Sequence, residues 1–246
     1  MNAMIFAAGL GTRLKPLTNN LPKALAPFNG KPLLWHAIKS LEEIGISRIV
    51  INVHHFAELI KDYISSSKWQ AEVLVSDESD LLLDTGGGLL KAQSLFIPNE
   101  PILLRNADII TSIDLESFIY SHRTNKNDAT LLVQRRNTSR YLVFDENMNL
   151  CAWKNVKTNE IIEVRQADIT QDLAFSGMHI IEPHLLDQMG DVRSFPIIKA
   201  YLELAQRNKI RGYSVADDVV WFDVGTIEKL KEAELYYKSG KLKTNE

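Results

Sequence analysis

Short apolar runs alternate with amphipathic stretches along the first half of the chain. Residues 3–8 are apolar throughout and end in Gly9-Leu10-Gly11, the pattern of a buried strand followed by a tight turn. Leu34, Ile38, Leu41 and Ile44 recur at helical spacing, with Pro32 as the first helical residue and Gly45 as the stop. Residues 46–53 are rich in β-branched side chains and predict a strand. A helix over 57–64 and a strand over 71–75 follow. Gly86-Gly87-Gly88 then opens a short helix around 89–95. Residues 101–107 predict another strand, which delivers Asp108 at its end. Asp114 is positioned to cap a helix through Tyr120, and 129–134 is a further strand. Strand and helix alternating in this way predict a parallel sheet covered on both faces.

After residue 135 the pattern changes. Residues 140–144, a turn at Asp145-Glu146-Asn147, and residues 150–153 predict a hairpin. Residues 154–173 are polar and read as irregular. A strand over 175–181, a short helix from Glu182-Pro183, an amphipathic stretch over 195–207, strands over 210–215 and 219–224, and a helix over 226–237 complete the reading.

Composition narrows the class. The chain has 246 residues, 45% hydrophobic and 24% charged, which excludes a disordered, collagen-like or disulfide-framework protein. A net charge of −3 gives no global basic field for nucleic acid. The single cysteine, Cys151, cannot form an internal disulfide and reads as hairpin packing in a reducing compartment. No run of ~18 apolar residues is present to span a membrane. The expected location is therefore cytoplasmic, with no nucleic-acid or membrane partner.

The first loop carries the candidate chemistry. Gly9 and Gly11 let the backbone turn sharply against a ligand, and exposed N–H groups there form an anion nest. A dinucleotide fingerprint would need its third glycine at Leu14, and no Gly-Lys-Ser/Thr follows to make a Walker A loop. Instead Arg13 lies inside the loop and Lys23 follows Pro22, two cations suited to a polyphosphate. Taken alone, His54 and His55 read as ordinary loop residues and Lys154 as a solvated hairpin lysine.

Residues 9–34 as a whole are similar to the signature of the sugar-1-phosphate nucleotidyltransferases, the nucleotide-sugar pyrophosphorylases. The shared positions are Gly9, Gly11, Thr12, Arg13, Leu14, Pro16, Leu17, Thr18, Pro22, Lys23, Lys31 and Pro32. Leu83-Asp84-Thr85-Gly86-Gly87-Gly88 resembles the family's base and ribose loop. Leu104-Arg105-Asn106-Ala107-Asp108 resembles its metal-binding strand end, with Ala107 where the family usually has Gly. Phe175-Ser176-Gly177 resembles the sugar-side strand, and Trp221-Phe222-Asp223-Val224-Gly225-Thr226 the segment of a second metal aspartate. The stretch nearest the Glu-Lys-Pro of larger members is Trp153-Lys154-Asn155.

The resemblance implies a Rossmann-like, three-layer α/β/α fold with a mostly parallel mixed sheet and a small inserted antiparallel sugar-binding lobe. It implies one nucleotidyltransferase domain over 1–238, with a nucleotide-binding half at 1–135, the sugar lobe and second aspartate in 136–225, and a polar tail at 239–246. The implied reaction joins a nucleoside triphosphate to a sugar 1-phosphate and releases pyrophosphate. Arg13, Lys23, Asp108 and Asp223 would be catalytic, with Mg²⁺ on Asp108 and Asp223. Ala8, Gly9, Leu10, Gly11, Thr12, Arg13, Lys23, Gly86 and Gly87 would bind nucleotide, and Asn106, Ser176 and Gly177 the sugar phosphate. Within the family the chain looks most like uridylyltransferases acting on N-acetylmuramate 1-phosphate, in peptidoglycan recycling. Mannose-1-phosphate guanylyltransferase and choline-phosphate cytidylyltransferase are the alternatives, and a non-catalytic nucleotide-binding relative is the other class. Trp35, Trp69, Trp153 and Trp221 are too scattered to decide for or against a choline-binding aromatic box. A monomer and a homodimer fit the sequence equally.

Overall fold

A computed structural model describes residues 1–240. Of the expected tail, residues 241–246 lie outside the described residues. Ser239 and Gly240 close the last helix, donating backbone hydrogen bonds to Leu235 and Tyr237.

The chain begins with β1 (Asn2–Phe6), two short 3-10 turns (Thr12–Leu14 and Lys23–Leu25), and a small hairpin of β2 (Pro27–Phe28) and β3 (Lys31–Pro32). Next come α1 (Leu33–Glu43), β4 (Arg48–Val53), α2 (Ala57–Ser66), β5 (Glu72–Asp77) and α3 (Asp84–Lys91). Then follow β6 (Ile102–Asn106), β7 (Ile109–Thr111), α4 (Leu115–Asn125) and β8 (Ala129–Gln134). The lobe contains β9 (Arg140–Asp145), β10 (Leu150–Asn155), β11 (Glu160–Glu163) and the start of β12 (Thr170–Ile181). The chain ends with α5 (Ile197–Leu204), β13 (Ile210–Ser214), β14 (Trp221–Asp223) and α6 (Ile227–Lys238).

Strands β5, β4, β1 and β6 lie side by side and parallel, with Met4 paired to Val50 on one side and Leu104 on the other. Both faces of β1 are buried. Met4 joins the cluster on the α3 and α5 face, and Ala3 and Ile5 join the cluster under α1, α2 and α4. That explains a run with no polar alternation. β12 is antiparallel to β6 and β8, and β13 is parallel to β8, so the sheet is mixed around a parallel centre with helices on both faces.

One strand serves two parts of the molecule. β12 pairs with β9 over residues 170–173 and with β6 over residues 178–181. Between Phe175 and His179 four steps along β12 face two along β8, a bulge that bends the strand out of the main sheet into the antiparallel lobe. Gly177 sits in this bulge with φ +74, a conformation that favours glycine.

Four local expectations change. Pro32 caps α1 rather than entering it, because its ψ of 149° is extended. α3 starts at Asp84 and contains the three glycines instead of following them. α4 runs on to Asn125, with Asp114 capping it through Ser117 N–H as expected. Residues 160–163 form a strand in the stretch read as irregular. β11 is an exposed edge paired only to β10, so its side chains carry no buried alternation.

His179 stands in the bulge region, fully buried, with Nδ1 2.5 Å from the Tyr201 hydroxyl. Burial pushes its pKa down to about 3. In the unfolded chain the imidazole takes a proton near pH 6.5, so stability is intact above that value and falls as pH drops toward 3. Urea titrations between pH 7 and 4 are expected to show a loss of up to about 1.4 kcal/mol per pH unit from this group. The pH slope should be shallower in His179→Gln.

Candidate active site

The turn after β1 lines a cavity of about 560 Å³. Gly11 has φ +63, and a β-carbon there would stand 3.0 Å from Lys23 Cβ. The glycine therefore sets both the turn and its close approach to the lysine. Thr18 Oγ1 donates to the Gly11 carbonyl at 2.8 Å and pins the loop from behind. Ala8, Gly9, Leu10, Gly11, Thr12, Arg13, Lys23, Asn106 and Asp108 all line the cavity.

Two carboxylates come together through a short antiparallel pairing. β14 runs against β7 with Asp223 opposite Ile109, and Val224 N–H donates to the Asp108 carbonyl at 2.9 Å. The Lys23 ammonium sits between them, paired to Asp108 and 3.8 Å from Asp223 Oδ1. Asp223 Oδ1 is buried without a hydrogen-bond donor. A β-carbon at Gly225 would lie 2.8 Å from that oxygen and 3.0 Å from Arg13 Nη2. The missing side chain lets the guanidinium lie beside the carboxylate. Arg13 itself is exposed and forms no ion pair among the described residues.

Behind Asp108 stands Arg105, 3% exposed, donating to the Ile109 carbonyl at 2.6 Å and to Ser40 Oγ. Burial pushes its pKa down to about 10 while Asp108 holds it up, so it stays charged at neutral pH. Asp108 thus has a cation in front and another behind it.

Two wall residues carry no recognised motif. Asn52 accepts from Ala7 N–H at 2.8 Å and donates to Glu78 at 2.7 Å. Glu78 is fully buried and accepts from Leu83 N–H at 3.0 Å. This chain ties the glycine turn of β1 to the start of α3 across the cavity floor. The only sequence signal was a lone amide in the apolar run Arg48-Ile49-Val50-Ile51-Asn52-Val53.

The structure does not bring five of the expected residues to the cavity wall: Asp223 stands behind Lys23 and Gly225 rather than on the lining, and Gly86, Gly87, Ser176 and Gly177 are also off it. Gly86 donates its N–H to the Phe195 carbonyl at 2.9 Å, and a β-carbon there would lie 2.2 Å from the Phe195 ring. A β-carbon on Gly87 would lie 2.0 Å from the Arg193 carbonyl oxygen. These glycines let α3 pack against residues 193–195, and it is Asp84, Thr85 and Ser194 that face the cavity. Ser176 is fully buried, its carbonyl accepting from Trp221 Nε1 at 2.8 Å. Gly177 is packed so that a β-carbon would meet Asn106 Nδ2 at 2.9 Å. Both support the wall from beneath.

The remaining candidates are structural. His54 Nδ1 meets the Glu78 carbonyl at 2.6 Å, and His55 packs on Phe56. Lys154, on the hairpin surface, is ion-paired with the exposed Asp172 across the lobe. Trp35, Trp153 and Trp221 sit on α1, β10 and β14 and Trp69 on the loop between α2 and β5, and no two of them stack among the described residues. No helix among the described residues is long and apolar enough to cross a membrane.

A parallel-centred α/β sheet with a phosphate-type loop and a paired-aspartate strand end defines a class, and the chain belongs to it. The nucleotidyl transferase family model matches residues 2–240. The chain is a sugar-1-phosphate nucleotidyltransferase. It is 30% identical to an N-acetylmuramate α-1-phosphate uridylyltransferase from Neisseria meningitidis, over 95% of this chain and 97% of that one. It is 28% identical to the protein of the same description from Caulobacter vibrioides, over 94% and 95%. Among solved structures, a UDP-glucose pyrophosphorylase complexed with UDP-glucose superposes with a TM-score of 0.75 at 20% identity, covering 97% of this chain and 98% of that one.

The packing reading of the triple glycine has a direct test. Gly87→Ala drives a β-carbon into a backbone oxygen that cannot rotate away, and should cost about 3 kcal/mol in urea denaturation. Unchanged stability would refute the packing role.

Proposed function

We propose that the chain transfers the uridylyl group of UTP to N-acetylmuramate 1-phosphate, with release of pyrophosphate. The observation that carries the reaction chemistry is Lys23 held between Asp108 and Asp223 on the wall of a glycine-loop cavity. The relatives from Neisseria meningitidis and Caulobacter vibrioides, matched over nearly their whole length, support the choice of base and acceptor.

The chemistry asks little of a general base. A sugar phosphate has its second pKa near ~6 and is already a dianion at neutral pH. Its oxygen attacks the α-phosphorus in line, a P–O bond forms there, and the bond to the β-phosphate oxygen breaks with pyrophosphate leaving. Repulsion between anions is the barrier, so positioned positive charge is the remedy. The loop at 8–12 offers N–H groups to the phosphates. Arg13, without an ion pair among the described residues and beside Gly225, would take the β- and γ-phosphate oxygens. Lys23 would take the charge that builds at the α-phosphate. Asn106 lines the same wall as Asp108 and would contact the acceptor phosphate.

The aspartates suit magnesium. Asp223 Oδ1 is a buried acceptor with no donor, and no group of three His, Cys, Asp or Glu side chains forms a metal cage among the described residues. Two carboxylates completed by phosphate oxygens and water is the donor set that Mg²⁺ takes. Asp108 and Asp223 would hold the ion, which when bound neutralises charge on the phosphates.

Pyrophosphate release should be measured across four nucleoside triphosphates crossed with sugar 1-phosphates and choline phosphate. UTP with N-acetylmuramate 1-phosphate is expected to give the highest kcat/KM. A strong preference for GTP with mannose 1-phosphate, or silence from folded protein, would overturn the assignment. Chelation of divalent ions should abolish turnover, and Asp108→Asn and Asp223→Asn should each lower kcat by about 10²-fold or more without unfolding the chain. Near-normal turnover in either variant would remove that residue from the reaction centre.

A further inference from the structure

A second cavity, of about 720 Å³, opens between the lobe and α5. Leu142, Trp153, Ile162, Phe175, Ile198 and Leu202 give it an apolar, partly aromatic lining suited to the C–H faces of a pyranose ring. Residues 175–177 link it to the first cavity, since Phe175 lines the second and Gly177 packs on Asn106 of the first.

Arg136 stands on the wall of this cavity, just beyond β8. Its guanidinium lies 4.1 Å from the centroid of the Trp221 ring, and Nη2 donates to the Phe175 carbonyl at 2.7 Å. Both contacts fix the plane of the group. No carboxylate pairs with it among the described residues. Nε is buried without an acceptor, and among the described residues only Nη2 of the guanidinium is seen in a hydrogen bond. Burial pushes its pKa down, with Asp223 and Tyr141 holding it up. A half-buried, oriented cation with no directly paired carboxylate, influenced by Asp223 only from a distance, is costly to keep unless a ligand supplies the partner.

Other charges border the cavity. Arg140 and Lys199 add positive charge. Glu160 and Glu163 stand on the outermost strand β11, and Glu203 on α5. Arg136 differs from these in being anchored to β12 and to Trp221, two residues from Asp223. It is not on the wall of the 560 Å³ cavity, where Arg13 and Lys23 face the phosphates.

We propose that Arg136 selects the acceptor by binding a carboxylate carried on the sugar ring away from the 1-phosphate. This rests on the N-acetylmuramate reading, whose acceptor bears a lactyl carboxylate. The apolar lining takes the ring and its methyl groups, and the guanidinium takes the acid.

The test compares N-acetylmuramate 1-phosphate with N-acetylglucosamine 1-phosphate, the same ring without the carboxylate, in wild type, Arg136→Gln and Arg136→Lys. Loss of a charged hydrogen bond should lower kcat/KM for the carboxylated acceptor by about 10- to 100-fold in Arg136→Gln. The loss for the acceptor without the carboxylate and the rise in KM for UTP should stay within about 3-fold. Arg136→Lys keeps the charge without the planar fork and should recover part of the selectivity. Equal losses on both acceptors would assign Arg136 to the phosphate or to folding and overturn the proposal. Wild-type preference for N-acetylmuramate 1-phosphate that survives both substitutions would overturn it while leaving the acceptor assignment standing. Refusal of the carboxylated acceptor by wild type would overturn both. If Arg136→Gln does not fold, the same ratio in Arg136→Lys decides, with an unchanged ratio counting against.

Discussion

The placement of one ammonium group between two carboxylates organises this molecule. Asp108 and Asp223 are brought together by backbone pairing of β7 with β14, a pairing that would force two negative charges into proximity. Lys23 relieves that repulsion, and Arg105 offsets it from behind. The lysine reaches this position because Pro22 fixes the chain at φ −66 and Gly11 leaves room for the side chain. Glycine loop, proline turn and terminal strand pair are therefore parts of one electrostatic arrangement. A centre assembled from residues 11, 23, 108 and 223 exists only when the whole α/β sheet is folded.

Two cavities follow from the same layout. One lies where the parallel strands β1 and β6 end, the usual ligand side of such sheets, and is where the proposed phosphate chemistry would take place. The antiparallel lobe contributes apolar and aromatic surface with a few oriented charges. The two cavities are joined through residues 175–177 and through Trp221, which contacts both Ser176 and Arg136, so the proposed reaction centre and the proposed acceptor pocket would be separate but linked.

Much of this was legible before any coordinates. Buried parallel strands announce themselves as unbroken apolar runs, and the residues at their ends, Gly9, Arg13 and Asp108, stood out by contrast. The spacing of Arg13 and Lys23 around a glycine turn carried the phosphate reading. What the chain concealed falls into two kinds. Edge structure such as β11 is set by backbone pairing to β10 and leaves no hydrophobic period. Tertiary polar contacts such as Asn52 with Glu78 join residues 26 apart that look ordinary in isolation. The triple glycine misled for a physical reason. Small residues serve ligand approach and close packing alike, and only the neighbouring ring of Phe195 distinguishes them. Arg136 escaped notice because a lone arginine after a strand is common, and its meaning lies in the partner it lacks.

The bulged strand β12 has a consequence for how such a protein diversifies. Its last residues are locked in register with β6, the strand that carries Asn106 toward Asp108, while its first residues belong to the lobe. The bulge at Gly177 absorbs a mismatch of two residues, so it acts as a mechanical decoupler. Lengthening, shortening or re-lining β9, β10 and β11 would alter the second cavity without shifting the ladder that holds Asp108. On the proposed assignment, lineages could exchange one acceptor for another by drift in the lobe while the reaction centre stays fixed.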